Sequence, residues 1–351
     1  MDRRSFLASA SALALPFSLS GKSAAADPIY IGDMHFHSFF GPNDPHSRPV
    51  AKTMSDGQAT LVAWKQVGDG QWIEPTDRGI KQKAVPQPGE AMRRFQRQMA
   101  QIKGHVAEQN LKLVKTPEDV DRALKGERHI VLAVEGAAFV DEVAHVQLAY
   151  DAGVRHLQIV HYIRNPIGDF QTEKPEHSGL TELGRKVVAE CNRLGILVDL
   201  AHCTPAAVKQ ALAISKAPVV WSHSSIASAG TKPSFTMVGW RARQLTVEDA
   251  KAIAGKGGVI GLWAMKLDVG STPQAYAQRL IDMAGIVGED HVGIGTDING
   301  LGAHAMIHNY ADVRKVVEHW QAQKISEKRI RKIAIENYAR VLKAALQPVR
   351  G

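Results

Sequence analysis

Two cysteines, Cys191 and Cys203, in 351 residues are too few for a disulfide framework, so the chain must be held by an ordinary buried core. Aromatic residues make up only 6%. No basic run is interleaved with them, and the formal charge of +8 is spread along the chain, which argues against a nucleic-acid surface. No apolar run reaches the roughly 20 residues that span a bilayer, so no stable membrane anchor is expected. Internal repeats are absent, and 44% hydrophobic with 22% charged residues excludes disorder, collagen and coiled coil. What remains is a globular chain long enough for one large domain or two modest ones.

The first 26 residues stand apart. Asp2-Arg3-Arg4-Ser5-Phe6-Leu7 precedes an Ala/Leu/Ser-rich run to Leu19, and Ala24-Ala25-Ala26 stands before Asp27-Pro28. A paired arginine, a short apolar stretch and small residues at a cleavage point are the parts of an export leader of the twin-arginine type. Residues 1–26 are therefore set aside from the fold, and 27–351 are expected to form a single domain. The twin-arginine export machinery is an expected partner, and the mature protein is expected in the periplasm or otherwise outside the cytoplasm.

Eight short apolar runs are bounded by turn residues: Ile29–His35, Ala59–Trp64, Ile130–Glu135, His156–His161, Ile196–His202, Val219–His223, Val259–Trp263 and Val292–Asp297. Helix signals lie between them, with Thr116-Pro117 and Thr204-Pro205 opening helices and Thr246 paired with Asp249 at a third. Continuous apolar strands alternating with capped helices mean parallel strands covered on both faces. Eight of them predict a (β/α)₈ barrel with elaborated loops at its C-terminal mouth, a doubly wound open sheet being the rival. The stretch from Gly41 to Gln87, rich in Gly, Pro, Asp and Lys, reads as an elaborated loop region around the second strand.

The fifteen histidines are the compositional oddity, and several stand where these runs stop. His35 and His37, Glu135, His161, His202, His223 and Asp297 sit at or just past the C-terminal ends of six different strands. In a closed barrel those ends share one mouth, where such folds keep their active sites. One strand ending in His is usually a satisfied structural histidine, but six ending in His, Glu or Asp would need that explanation six times over. Imidazoles with carboxylates and no thiolate suit zinc or a similar divalent ion in an open site. Glu135 could bridge two ions, each with its own imidazoles, and two ions about 3.5–4 Å apart hold a hydroxide between them and polarise a carbonyl. Hydrolysis is the natural consequence, and export in folded form suits a protein that takes up its metal first.

The residues in order resemble the membrane dipeptidase (renal dipeptidase) family of binuclear zinc peptidases, within the wider amidohydrolase-like barrels. The motifs that carry the likeness are Asp33-Met34-His35-Phe36-His37, Val134-Glu135-Gly136, Gly153-Val154-Arg155 leading to His161, Gly179-Leu180-Thr181-Glu182-Leu183-Gly184 and Val198-Asp199-Leu200-Ala201-His202. They continue with Ser222-His223-Ser224-Ser225, Gly257-Gly258-Val259, Val292-Gly293-Ile294-Gly295-Thr296-Asp297 and Glu336-Asn337-Tyr338-Ala339-Arg340. The likeness implies a dipeptidase with two divalent ions, zinc by preference, that hydrolyses the amide of a small peptide by a metal-bound hydroxide. It implies that His35 and His37 hold the first ion, Glu135 bridges, His202 and His223 hold the second, Asp297 touches the first ion and handles the proton, and His161 steadies the oxyanion. It further implies an arginine for the substrate carboxylate, Arg243 by its distance from Gly257-Gly258, with Arg241 as the neighbour to weigh against it. A homodimer is left open.

Two departures stand out. The family usually has Asp where this chain has His37, and the loop Ser225–Arg241 is longer than usual. The competing readings are another amidohydrolase reaction, on an N-acyl amino acid or a lactone, and a metal-binding protein without catalysis. Among the other candidates, Cys191 and Cys203 read as unpaired packing residues. His46, His105, His145, His156, His177 and His291 read as structural, His304 and His308 lie in a loop over the mouth, and Trp64 and Trp263 end strands where they could line it.

Overall fold

The structure is a computed structural model describing residues 28–38 and 49–347; the segment expected to be an export leader, residues 1–26, lies outside the described residues, as does His46. Eight parallel strands form a ring: β1 Ile31–Phe36, β2 Ala59–Val67, β3 His129–Glu135, β4 His156–Gln158, β5 Leu197–Asp199, β6 Val220–Trp221, β7 Val259–Leu262 and β8 Val292–Ile294. Each pairs in parallel with the next in chain order. β1 and β3 are buried along their whole length, as strands covered on both faces must be. A two-residue strand, Lys112–Leu113, also pairs with β3 and lies off the ring.

The ring closes between its first and last strands, which disposes of the open-sheet alternative. His35 O accepts from Asp297 N at 2.9 Å and Ile298 O from His37 N at 3.1 Å. Inside this seam the buried Asp33 carboxylate accepts from Thr296 N (3.0 Å), Thr296 Oγ1 (2.6 Å), Tyr310 OH (3.1 Å) and His35 N (3.0 Å). Burial pushes the Asp33 carboxyl up to about 6 against the pull of those donors.

Helices cover the outside, and their starts follow the expected caps. Thr181 Oγ1 accepts from Gly184 N, opening the helix Glu182–Leu194, and Thr204 and Thr246 do the same for Pro205–Ile214 and Val247–Gly255. The Gly41–Gln87 stretch is more regular than a loop in its described part. Val50–Gly57 is a helix that buries Val50 and Met54 four residues apart, and Ile73–Thr76 pairs with Gly79–Gln82 in an antiparallel hairpin beside the mouth. No helix among the described residues is long and apolar enough to cross a membrane.

Candidate active site

The loops after the strands bring seven side chains together that lie up to 262 residues apart in sequence. His35 is the penultimate residue of β1 and His37 the first beyond it, and their Nε2 atoms lie 3.0 Å apart. Glu135, the last residue of β3, reaches His35 Nε2 through Oε1 and His37 Nε2 through Oε2, both at 3.3 Å. The same Oε1 lies 3.4 Å from His202 Nε2, 3.5 Å from His223 Nε2 and 3.4 Å from His161 Nε2. Asp297 completes the first half, with Oδ1 3.4 Å from His37 Nε2 and 3.8 Å from His35 Nε2. Every member is buried.

Holding these groups so close costs the backbone. His202 (φ 71°) and Asp297 (φ 56°) are in the left-handed region, which a non-glycine residue enters at a cost of about 1–3 kcal/mol. Gly300 can only be glycine, because a Cβ there would come within 2.0 Å of Asp297 Oδ1.

The donor set fits two divalent ions. His35, His37 and Glu135 form one group whose ligand atoms lie within 4.8 Å of one another, and Glu135, His202 and His223 form a second, with Glu135 common to both. Two of the rings have their tautomers set by neighbours. The carbonyl of Lys65 can only accept, so His37 Nδ1 (3.0 Å away) carries a proton and Nε2 is the nitrogen left to face the cluster. A guanidinium can only donate, so Arg243 Nη2, 3.3 Å from His223 Nε2, marks that nitrogen as the acceptor. Ring nitrogens turned inward around one shared carboxylate are what a pair of cations needs.

The charges follow from this crowding. Burial alone would raise the Glu135 carboxyl, but His161 and His35 and the hydrogen bonds from the histidines hold it well below the usual range. Burial holds His35 down to about 4 despite Glu135, whereas at His37 the hydrogen bonds to Asp297 and Glu135 outweigh burial and push it up to about 10. His202 and His223 are held well below their ordinary value by burial, with Arg243 adding to it at both. His161 shows the reverse. Burial works against its charge, but Asp69 and Glu135 raise it, and Asp69 Oδ1 accepts from its Nδ1 at 2.6 Å while Oδ2 accepts from Tyr162 N at 2.9 Å.

The cluster lies at the bottom of a cavity of about 1910 Å³, walled by the hairpin and by the segment from Phe235 to Gln244. Arg243 is buried beside the cluster, with Nε 3.3 Å from Gln171 Oε1 and Nη1 3.4 Å from Tyr162 OH. Arg241 is exposed, its guanidinium over the Trp240 ring at the cavity's outer wall. A second cavity, about 380 Å³, lies beyond Cys203 and Trp221 and contains none of the clustered residues.

Some expectations need correction. Trp64 does not line the mouth, because β2 continues three residues past it to Val67, and its indole packs edge-on against Phe36 in the core. Trp263 and His304 do line it; His308 instead gives its backbone N–H to Asp312 near the start of the helix Tyr310–Ala322. His156 is less inert than expected, since its Nε2 lies 3.2 Å from the buried Asp199 Oδ2 beneath the cluster. Cys191 and Cys203 are unpaired and buried as expected. Asp69 and Tyr162 escaped sequence reading. Asp69 lies in a Gly-Asp-Gly turn that looks like any other, and Tyr162 had only its place beside His161 to mark it.

The membrane dipeptidase family (peptidase family M19) matches residues 49–349 of this chain. The chain belongs to that family. Among curated relatives in it, dipeptidase verJ of Clonostachys rogersoniana is 33% identical over 156 residues, 43% of this chain and 38% of that one. Dipeptidase tcpJ of Claviceps purpurea is 28% identical over 244 residues, 66% of this chain and 55% of that one. The matches thus span about half or less of those relatives' length. A metallo peptidase of Rhodobacter sphaeroides, solved with a phosphinate mimic of the dipeptide L-Ala-D-Ala, superposes with a TM-score of 0.73 at 20% identity, covering 91% of this chain and all of that one. The likeness shows a common fold over nine-tenths of this chain.

Proposed function

We propose that this M19 protein is a dipeptidase that works with two divalent ions, zinc by preference. The observation that carries the reading is the single carboxylate, Glu135, shared by two groups of imidazoles, with Asp297 on one side and Arg243 on the other. His35, His37 and Asp297 would hold one ion and His202 and His223 the other, with Glu135 bridging. Such a pair, when bound, supplies an activated water and polarises the scissile carbonyl.

The chain's own residues divide the remaining work. Asp297, through Oδ1, takes the proton of the attacking water and passes it to the leaving amine. His161, oriented by Asp69 through Nδ1, turns Nε2 toward the same space and steadies the negative oxygen that develops on the carbonyl. Arg243, fixed by Gln171 and Tyr162, offers its guanidinium to the free carboxylate of the peptide.

Arg243→Ala is therefore expected to raise KM for dipeptides by roughly tenfold or more, since a charge-assisted hydrogen bond contributes about 1.5–3 kcal/mol. The same variant should leave hydrolysis of the C-terminally amidated dipeptide close to that of the unmodified protein. Equal loss on both substrates in steady-state kinetics would misassign the clamp, make Arg241 the candidate and favour hydrolysis of an N-acyl amino acid or lactone.

The same reading takes residues 1–26 as a twin-arginine leader and puts the mature enzyme outside the cytoplasm. Arg3→Lys combined with Arg4→Lys should leave most of the precursor inside the cell, measured by fractionation and immunoblotting. An unchanged exported yield would point to the general secretory route.

A further inference from the structure

Beneath the two ligand groups lies a polar layer that none of the roles above uses. Ser222, the first residue after β6, sets its hydroxyl oxygen 3.0 Å from His35 Nδ1 and 3.1 Å from His223 Nδ1, where it accepts from both rings when their Nε2 atoms face the cluster. These histidines belong to different groups, one on each side of Glu135. Lys65 Nζ lies 3.2 Å from the same oxygen, the longest of the three contacts, and shares with the rings the two lone pairs that a hydroxyl offers. Lys65 lies on β2, fully enclosed, and its other two ammonium protons go to Gln158 Oε1 at 3.1 Å and to Asp199. The three donors of the ammonium are thus all accounted for.

The serine itself is fixed from both sides. Asp199 Oδ1 accepts from Ser222 N at 3.1 Å, so the carboxylate that holds the lysine also holds the serine's backbone. The carbonyl of Ser222 sits against Gly261 of β7 and Gly295 just past β8, where any Cβ would come within 2.0 Å and 1.7 Å of it. Strands β2, β4, β5 and β7 thus all bear on Ser222 or on the lysine that reaches it, so the serine cannot shift independently of the barrel.

We propose that Ser222, held by Lys65, is a positioning residue common to both metal groups, setting the ring orientation of one ligand in each. The hydroxyl is small, buried and the partner of both Nδ1 atoms, so no other side chain takes over if it is lost. A ligand histidine whose outer nitrogen loses its partner binds metal about 10–100-fold more weakly. Because one oxygen serves two rings, its loss must show at both ions and not at one.

The test rests on the two-ion reading above but is read out as ion binding, so it stands apart from turnover. Metal-free protein is titrated with Zn²⁺ by calorimetry and with Co²⁺ by visible absorption. Ser222→Ala should weaken both binding steps by about 10–100-fold. Ser222→Thr, which keeps the hydroxyl, should restore them, and Lys65→Met should weaken both as Ser222→Ala does. Asn192→Ala, which removes a buried amide that accepts from Lys216 N at 2.7 Å far from either group, destabilises the fold and should leave both steps unchanged. A Ser222→Ala protein with both steps within about twofold of the parent, with only one step weakened, or with a Thr variant as weak as the Ala variant overturns the proposal. Tight two-ion binding that responds as expected in a protein inert toward dipeptides would leave this role standing and sink the dipeptidase reading alone.

Discussion

Glu135→Ala is expected to lose both ions and nearly all turnover. No other carboxylate in the cluster reaches both groups of imidazoles, and Glu135 lies within 3.5 Å of five imidazole nitrogens. Its removal takes the only fully shared negative charge from among those rings, leaving inward lone pairs with Asp297 on one side alone. The fall in affinity should exceed the 10–100-fold typical of a lost outer partner, since here a ligand itself is gone. Elemental analysis after equilibrium dialysis at a fixed free zinc concentration checks it. Two ions per chain retained in the variant would show that Glu135 is not the bridge.

Asp297→Asn should behave differently, keeping ions and losing speed. The amide has the same shape and still presents an oxygen toward His37, but it cannot accept a proton at neutral pH. The loss should therefore fall on kcat, by about 10²–10⁴-fold, with KM changed only a few-fold. The left-handed backbone at this position is no obstacle, because Asn adopts that region at least as readily as Asp. Metal content measured on the same preparation separates this outcome from simple ion loss. A kcat within tenfold of the parent would hand the proton to another group.

Much of this molecule is legible in its sequence because the chemistry stands at the ends of apolar runs. Each ring strand coincides with one of the eight runs, and His35, Glu135, His202, His223 and Asp297 mark where those runs stop. The polar residues inside the strands were not legible. Lys65, Asp33 and Asp199 each interrupt an apolar run, and with both faces of a parallel strand buried no alternation shows which way a residue points. Only the closed ring reveals that Lys65 and Asp199 face each other from β2 and β5. Trp64 is hidden for the opposite reason: the apolar run stops there at the polar Lys65-Gln66, whereas the strand runs on to Val67. Asp69 reaches His161 from 92 residues away, a distance no local pattern spans.

The seam between β1 and β8 has a consequence for how the molecule is made. Asp33 and Thr296 are 263 residues apart, so the strand carrying His35 and His37 is gripped from both edges only after nearly the whole chain has been synthesised. The part of the cluster built on β3, β5 and β6 lies within one contiguous stretch, from Glu135 to His223, and needs nothing from the last strand for its own ligand atoms. A chain cut short before Val292 therefore lacks Asp297 together with the strand that closes the ring on His35 and His37. The two groups of imidazoles thus differ in how much of the chain each needs: one is complete at His223, the other only once the last strand is present.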